Sequence, residues 1–314
     1  MIPALVLTAG LATRLRPLSF VRAKAAVPVA GLPLITRILA QLRGAGVTDA
    51  VLNLHHLPHT LTRVVGDGSD LDMRVRYSWE VPILGSAGGA RQALPLLAAP
   101  TFLIANGDTL SDLDTDALVA THRRSGGLVT MAVTENTEPQ KYGGVIVASD
   151  GAVTGFAVRG SSQTSFHFLG LQVAETAAFE TLQAGTPCES VGGVYPALIS
   201  GRPGSVQAHA CSAEFLDIGT PDDYLHTSLL LARREGNASL RGARARVDPT
   251  ARVDESILWD DVEVGARSIL QGCIVVDGAR VPDDTSWNGV TLRPAIGDLA
   301  PGERRIGELA VAPL

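Results

Sequence analysis

Apolar positions in the first two-thirds of the chain fall into short uninterrupted runs separated by longer amphipathic stretches. The runs predict strands at Ala4–Leu7, Ala50–Leu54, Arg74–Trp79, Thr101–Ala105, Leu128–Val133, Val145–Ala148 and Phe168–Val173. Between several of them, apolar residues recur every three or four positions and predict helices at Pro33–Arg43, Gly88–Leu97, Asp114–Arg124 and Thr176–Leu182. Strands alternating with helices of that length imply βαβ units, so the expected fold is α/β: a Rossmann-like, mainly parallel sheet with ligands at the carboxyl ends of its strands.

The texture changes after Tyr224. A helical Leu225–Arg234 gives way to a Gly- and Arg-rich stretch, Glu235–Arg246. Apolar residues then recur roughly every six positions, at Val247, Val253 and Trp259, and again at Val264, Leu270 and Val276, with one shorter step between Trp259 and Val264. Hexapeptide spacing interrupted by Gly, Asp and Pro marks a β-helix whose inward aliphatics stack from coil to coil. A short β-helix is therefore expected over Val247–Val281; an irregular extended tail is the alternative. The expected division is a domain over residues 1–235 and a small repeat domain with its tail over 236–314.

Aromatic residues make up only 4% of the 314 positions, so the core must be built from Ala, Val, Leu and Ile, which suits parallel strands covered by helices on both faces. A formal charge of −6 argues against a nucleic-acid or acidic-membrane partner and requires an anionic ligand to be met by local cations. Cys188, Cys211 and Cys273 lie far apart without metal-ligand spacing, which speaks against a disulfide framework or a zinc site. No leader-like segment and no bilayer-length apolar run is evident, so a cytoplasmic protein without a membrane partner is expected, as a homo-oligomer.

Leu5–Gly31 limits the chemistry most tightly. A strand delivers the chain into the small-residue turn Ala9-Gly10-Leu11-Ala12-Thr13, followed by Arg14 and, ten residues later, Lys24. Backbone N–H groups approach a polyphosphate only where side chains are small. Arg14 offers a planar fork to phosphate oxygens and Lys24 a point charge. Neither a dinucleotide fingerprint nor a Walker loop is present. Read alone, the turn also suits an ordinary strand-turn-helix entry with solvated cations.

A second cluster is Asn106-Gly107-Asp108, where a carboxylate stands just past a strand end, placed to hold Mg²⁺ against phosphate oxygens. Asp217, before Gly219-Thr220-Pro221, is a second candidate for the same ion. Each aspartate taken singly also reads as a cap or turn residue. Glu80 heads the segment Glu80–Ala90, in which Gly85 and Ser86 open a helix; small residues there leave the backbone open to close approach, and Glu80 is an acceptor for an N–H or amino group. His55, His56 and His59 read as a polar loop after the Ala50–Leu54 strand rather than as metal ligands.

Taken together, these motifs resemble the sugar-1-phosphate nucleotidyltransferases, the family of mannose-1-phosphate guanylyltransferases and glucose-1-phosphate thymidylyltransferases. The family pattern is a small-residue turn, Gly-Thr-Arg-Leu-x-Pro-Leu-Thr, then Pro-Lys-Pro. Here Ala12 stands for the second loop glycine, and Ala23 and Ala25 for the prolines flanking the lysine. The resemblance implies a small C-terminal left-handed β-helix. It also implies NTP and a sugar 1-phosphate as partners, Mg²⁺ on Asp108 and Asp217, the base and ribose at Glu80 to Ala87, and Arg14 and Lys24 as catalytic cations together with Asp108.

For the sugar phosphate the resemblance implies Asn106, Gly143 within Lys141-Tyr142-Gly143-Gly144-Val145, Gly170 within Phe168-Leu169-Gly170-Leu171, Arg159 and, more weakly, Glu189. In the Gly155–Gly160 run, Val158 and Arg159 replace the family's glutamate and lysine. The acid ahead of the Leu-Gly segment resembles the guanylyltransferase branch, so GTP with mannose 1-phosphate is the expected pair. UTP or dTTP with glucose 1-phosphate, and a non-catalytic nucleotide-sugar-binding subunit, are the alternatives.

Overall fold

The computed structural model describes residues 2–236 and 239–314. They form two compact units. One comprises Met1–Gly10, Arg37–Pro58 and Val65–Leu216; the other comprises Leu11–Thr36, His59–Val64 and Asp217–Leu314. This division differs from a cut at 235/236, because Leu11–Thr36 and the helix Pro221–Arg234 pack with the C-terminal repeats.

The first unit is built on a nine-stranded sheet. Its main order runs Val153–Ala157, Gly144–Val147, Phe166–Glu175, Thr101–Asn106, Ala4–Leu7, Asp49–Leu54, Arg74–Trp79, and Val129–Glu135 joins Phe166–Glu175 to Val206–Ala210. Thr101–Asn106, Ala4–Leu7, Asp49–Leu54 and Arg74–Trp79 are mutually parallel, with Leu7 opposite both Asn53 and Asn106. Four carboxyl ends thus share one edge. Phe166–Glu175 runs antiparallel to its neighbours and makes the sheet mixed.

The helix Gly85–Leu97 presents Ala87, Ala90, Ala93 and Leu97 to Leu5, Val51, Phe102 and Ile104 of the sheet. Alanine at these positions lets the helix axis come close. Two elements differ from expectation. Thr176–Leu182 is not a helix: only a 3₁₀ turn forms at Thr176–Ala178, since Thr176 is bonded through its N–H to the Pro100 carbonyl and through Oγ1 to the Ala99 carbonyl, which holds it to the sheet edge. His59 lies in the helix Pro58–Val65, so only His55 and His56 are in the turn. No described helix is long and apolar enough to cross a membrane.

In the second unit, three parallel ladders form a three-sided β-helix. They join Arg246-Val247, Glu263-Val264 and Arg280-Val281; Arg252–Asp254, Ile269–Gln271 and Ser286–Asn288; and Ile257-Leu258, Ile274-Val275 and Val290–Pro294. Val247, Val264 and Val281 are in register, as are Val253, Leu270 and Trp287. Each coil is therefore 17 residues, and the five-residue step between Trp259 and Val264 recurs as part of it. The coils run on past Val281 to Pro294.

On the third face Leu258, Val275 and Leu292 enter the aliphatic core. Trp259, expected inside, instead packs edge-on against Tyr224, ring centroids 6.4 Å apart, and its indole N–H donates to the Tyr224 hydroxyl at 2.9 Å. The β-helix ends in an antiparallel meander, Val290–Pro294 with Leu309–Pro313 and Arg304–Ile306. There Arg293 forks onto Glu303 at 2.7 and 2.6 Å, with side chains 6% and 0% exposed.

Candidate functional site

In the first unit the site rests on a buried polar row along the carboxyl edge of the parallel strands. Asn53, 3% exposed, accepts from the Thr8 amide at 2.6 Å and the Ala9 amide at 3.3 Å through Oδ1, and donates through Nδ2 to Glu80 Oε1 at 2.7 Å. Its carbonyl accepts from Thr8 Oγ1. Glu80, 1% exposed, accepts from the Leu84 amide at 2.8 Å through Oε2. In a low-dielectric interior such a fully partnered network is rigid, and costly to open.

Three strand ends and the entrance to the Gly85–Leu97 helix are thereby locked together. A Cβ on Gly89 would lie 2.6 Å from Glu80 Oε1 and 2.9 Å from Asn53 Nδ2, so the bare glycine is what lets the helix seat on this pair. Glu80, expected to accept from a base, is committed here to Asn53 and Leu84. It shapes the loop from beneath. Asn53 has no place in the sequence expectations; the signal was a lone amide inside the apolar run Val51-Leu52-Asn53-Leu54.

Asp108 is placed by an equally close fit. Gly107 donates its N–H to the Leu7 carbonyl at 2.9 Å, and a Cβ there would stand 2.6 Å from that same oxygen and 2.8 Å from Thr8 Cγ2. The half-buried Asp108 thus follows a junction with no room for a side chain. Its carboxylate is a hard oxygen donor of the kind Mg²⁺ takes one or two of, with water and phosphate oxygens completing the shell. No group of three or more candidate ligand side chains occurs among the described residues.

Two further pairs meet in this unit. Gly170 lies against Asn106 and Thr109, its would-be Cβ 3.2 Å from Asn106 Cβ and 2.4 Å from Thr109 Oγ1. Glu189 lies at the amino end of the Gly85–Leu97 helix, accepting from Ser86 Oγ at 2.8 Å and the Ser86 amide at 3.3 Å. The Ala87 and Gly88 amides both donate to the Cys188 carbonyl at 3.0 Å. Three of the free N–H groups of the first turn are thus satisfied from within, with a carboxylate at the positive end of the helix dipole. A residue expected on the sugar therefore meets one expected on the nucleotide. Gly143 sits apart from these pairs, its would-be Cβ 3.2 Å from the Ala157 carbonyl, and Arg159 is exposed in the loop after the Val153–Ala157 strand.

The second unit carries Arg14, Lys24 and Asp217. Ala12 has φ 48°, ψ 47°, the left-handed conformation that the family's glycine adopts freely, and it leads the 3₁₀ turn Thr13–Leu15 with Arg14 exposed on it. Lys24 opens a second 3₁₀ turn, Lys24–Ala26. Its flanking Ala23 and Ala25 are 0% and 2% exposed, so burial does the clamping that prolines would otherwise provide. The Ala23 amide donates to Thr60 Oγ1 at 3.1 Å. Asp217 lies ahead of a capping box in which Thr220 Oγ1 accepts from the Asp223 amide at 3.1 Å and Asp223 Oδ2 accepts from the Thr220 amide at 3.1 Å. The main chain at Asp217 is tied to this helix by Thr227 Oγ1, 2.9 Å from its carbonyl.

Residues 3–234 match the nucleotidyl transferase family. The chain is 28% identical over 291 residues to mannose-1-phosphate guanylyltransferase of Mycobacterium tuberculosis, spanning 89% of this chain and 81% of the relative. It is 27% identical over 300 residues to UTP–glucose-1-phosphate uridylyltransferase of Synechocystis, 88% of this chain and 76% of the relative. It is 33% identical over 221 residues to N-acetylmuramate alpha-1-phosphate uridylyltransferase of Neisseria meningitidis, 69% of this chain and 93% of the relative. Among solved structures, HddC from Yersinia pseudotuberculosis superposes with a TM-score of 0.64 at 22% identity, covering 74% of this chain and 100% of its own. With the carboxyl-edge loops, the Asn-Gly-Asp strand end and the β-helix, these matches identify the chain as a member of the sugar-1-phosphate nucleotidyltransferase family, an enzyme of the nucleotidyl transferase class.

Proposed function

We propose that the enzyme makes GDP-mannose and pyrophosphate from GTP and mannose 1-phosphate. A phosphate oxygen of the sugar 1-phosphate attacks the α-phosphorus of the nucleotide; a new P–O bond forms there as the bond to the β-phosphate breaks, and pyrophosphate leaves with the electron pair. The nucleophile is already an anion, so no general base is needed and catalysis rests on position and charge balance.

In this reading Arg14 balances the departing pyrophosphate and Lys24 bridges the two phosphates being joined. The small residues from Ala9 to Thr13 and Gly85 to Ala87 admit the nucleotide, with Glu80 setting the shape of the second segment. Asn106 and Gly170, which meet, are assigned to the sugar phosphate, as are Gly143, Arg159 and Glu189. Asp108 and Asp217 are the residues that would hold Mg²⁺, which when bound neutralises charge on the α-phosphate.

The observation that carries the reading is the seating of Asp108, fixed by Gly107 against the end of the Ala4–Leu7 strand, beside a loop that Asn53 rigidifies. Guanine and mannose rest on the names of the guanylyltransferase relatives, since Glu80 is engaged internally. The Synechocystis relative favours a second pairing, UTP with glucose 1-phosphate. Pyrophosphate release from four NTPs against a panel of hexose 1-phosphates, with Mg²⁺, separates the two. The highest kcat/KM is expected for GTP with mannose 1-phosphate; a preference for UTP with glucose 1-phosphate selects the second pairing, and nucleotide binding without turnover across the panel refutes catalysis.

A further inference from the structure

The sequence treats the β-helix as an appendage, yet its residues meet one flank of the turn that carries Lys24 directly and the other through Tyr224 of the Pro221–Arg234 helix. On the amino side, Arg22 donates through Nε to Asp277 Oδ2 at 2.7 Å and through one terminal nitrogen to Asp277 Oδ1 at 2.6 Å and Asp260 Oδ2 at 2.7 Å. The guanidinium also stands over the Trp259 ring, 5.1 Å from its centroid. On the carboxyl side, the Tyr224 hydroxyl donates to the Pro28 carbonyl at 2.5 Å and accepts from the Trp259 indole N–H at 2.9 Å. Trp259 and Tyr224 are fully buried, and the Arg22 side chain is 14% exposed.

Between the two ties the backbone has little slack. Ala23 is fully buried, the Ala26 amide donates to the Ala23 carbonyl at 2.8 Å, and the Val27 amide donates to the Lys24 carbonyl at 3.3 Å. A displacement at Arg22 is therefore handed on to Lys24. The aspartates are themselves part of the coil stack: Asp260 and Asp277 are one 17-residue coil apart, and Asp277 Oδ1 also accepts from the Asp260 amide at 3.0 Å. Bidentate charge-assisted bonds to a largely buried guanidinium, with an aromatic face behind it, give orientation as well as energy.

The exposed pairs that repeat along the same coils, Arg244 with Asp261 and Arg267 with Asp284, have the same chemistry but touch no loop of the site. We propose that the first two coils of the β-helix are a positioning element for Lys24, with Arg22 and Tyr224 as positioning residues that act through Trp259, Asp260 and Asp277. The role of Lys24 rests on the reaction proposed above; the tie itself does not.

The test uses the full chain with Arg22→Lys, Asp277→Asn and, as control, Asp261→Asn. Asp277→Asn keeps an oxygen for the Asp260 amide, and Arg22→Lys keeps the charge but loses the fork. Both are expected to lower kcat for pyrophosphate release about tenfold, with KM for the nucleotide changed less than about threefold and the thermal midpoint nearly unmoved, because a group meeting the transition state has been shifted and binding has not. Exchange of the Ala26 and Val27 amide hydrogens should quicken about tenfold in both variants and not in the control.

Unchanged exchange overturns the tie. Faster exchange with unchanged kcat overturns its role in positioning Lys24, leaving a purely structural contact. An equal fall in the control overturns the assignment to the Arg22 contacts with Asp260 and Asp277. Should the wild-type chain release no pyrophosphate with any substrate pair, the reaction falls, while the exchange measurement still decides whether the β-helix holds the turn.

Discussion

The two units hold their candidate site residues in place by different physics. In the first, position comes from backbone fit and a buried network: Gly107 leaves no room beside Leu7, and Asn53 joins Thr8, Ala9 and Glu80 through short bonds away from water. In the second, position comes from side chains that reach from a loop to a repeating scaffold, Arg22 to Asp260 and Asp277, Tyr224 to Pro28. A strand end tolerates no change of volume, whereas a side-chain tie tolerates volume but not loss of its charge or fork. The first design should fail by unfolding locally, the second by losing orientation.

The sharpest break of that contrast is Asn53→Leu, which leaves the Glu80 carboxylate and the Thr8 amide buried without their partner. It should cost about 3–5 kcal/mol in urea unfolding, the penalty for removing one partner of a buried carboxylate that keeps only the Leu84 amide, together with a buried backbone amide's acceptor. Glu303→Gln asks whether the second unit also has a point of that kind, since it halves the buried Arg293–Glu303 pair; a loss of about 3 kcal/mol is expected. Gly107→Ala should cost about 1–3 kcal/mol by forcing apart the Leu7 and Thr8 contacts, with a kcat/KM loss of about 10²-fold as Asp108 moves.

Smaller effects sharpen the comparison further. Ala12→Gly removes left-handed strain of about 1 kcal/mol at the cost of a more flexible unfolded chain, so thermal stability should rise slightly or hold. Asp261→Asn, on the fully exposed pair with Arg244, should leave the thermal midpoint where it was. A marked fall there would mean that the exposed ladder, too, bears on stability.

Much of the architecture was legible in the sequence because the strands of the first unit are uniform apolar runs: Ala4–Leu7 and Arg74–Trp79 fall where the pattern puts them. Thr176–Leu182 misled because its helical spacing of apolar residues reflects packing of Ala178 and Phe179 under the sheet rather than a helix. Val153–Ala157 escaped notice because Gly155 interrupts its alternation, and Val206–Ala210 because alternating alanines after Val206 give only a weak apolar signal. In the β-helix the short step after Trp259 reads as an irregularity until the register shows it to be the corner that leads from the coil's third side to the first side of the next.

Of the site, Gly107 and Asp108 were legible as a motif, since the glycine's reason is local. Asn53 and Arg22 were not. Each acts on partners 27 to 255 positions away, and only the fold brings those together. Glu80 carried a reasonable chemical expectation, acceptance from a base, that its burial against Asn53 redirects.

The most direct measurement is the single-turnover rate of nucleotidyl transfer by Lys24→Met, at saturating GTP and mannose 1-phosphate with Mg²⁺, alongside nucleotide affinity. A fall on the order of 10²- to 10³-fold with affinity kept within about threefold is the expected result, as for loss of one charge that acts mainly in the transition state. A rate equal to the wild-type enzyme's would contradict the placing of this lysine at the phosphates being joined.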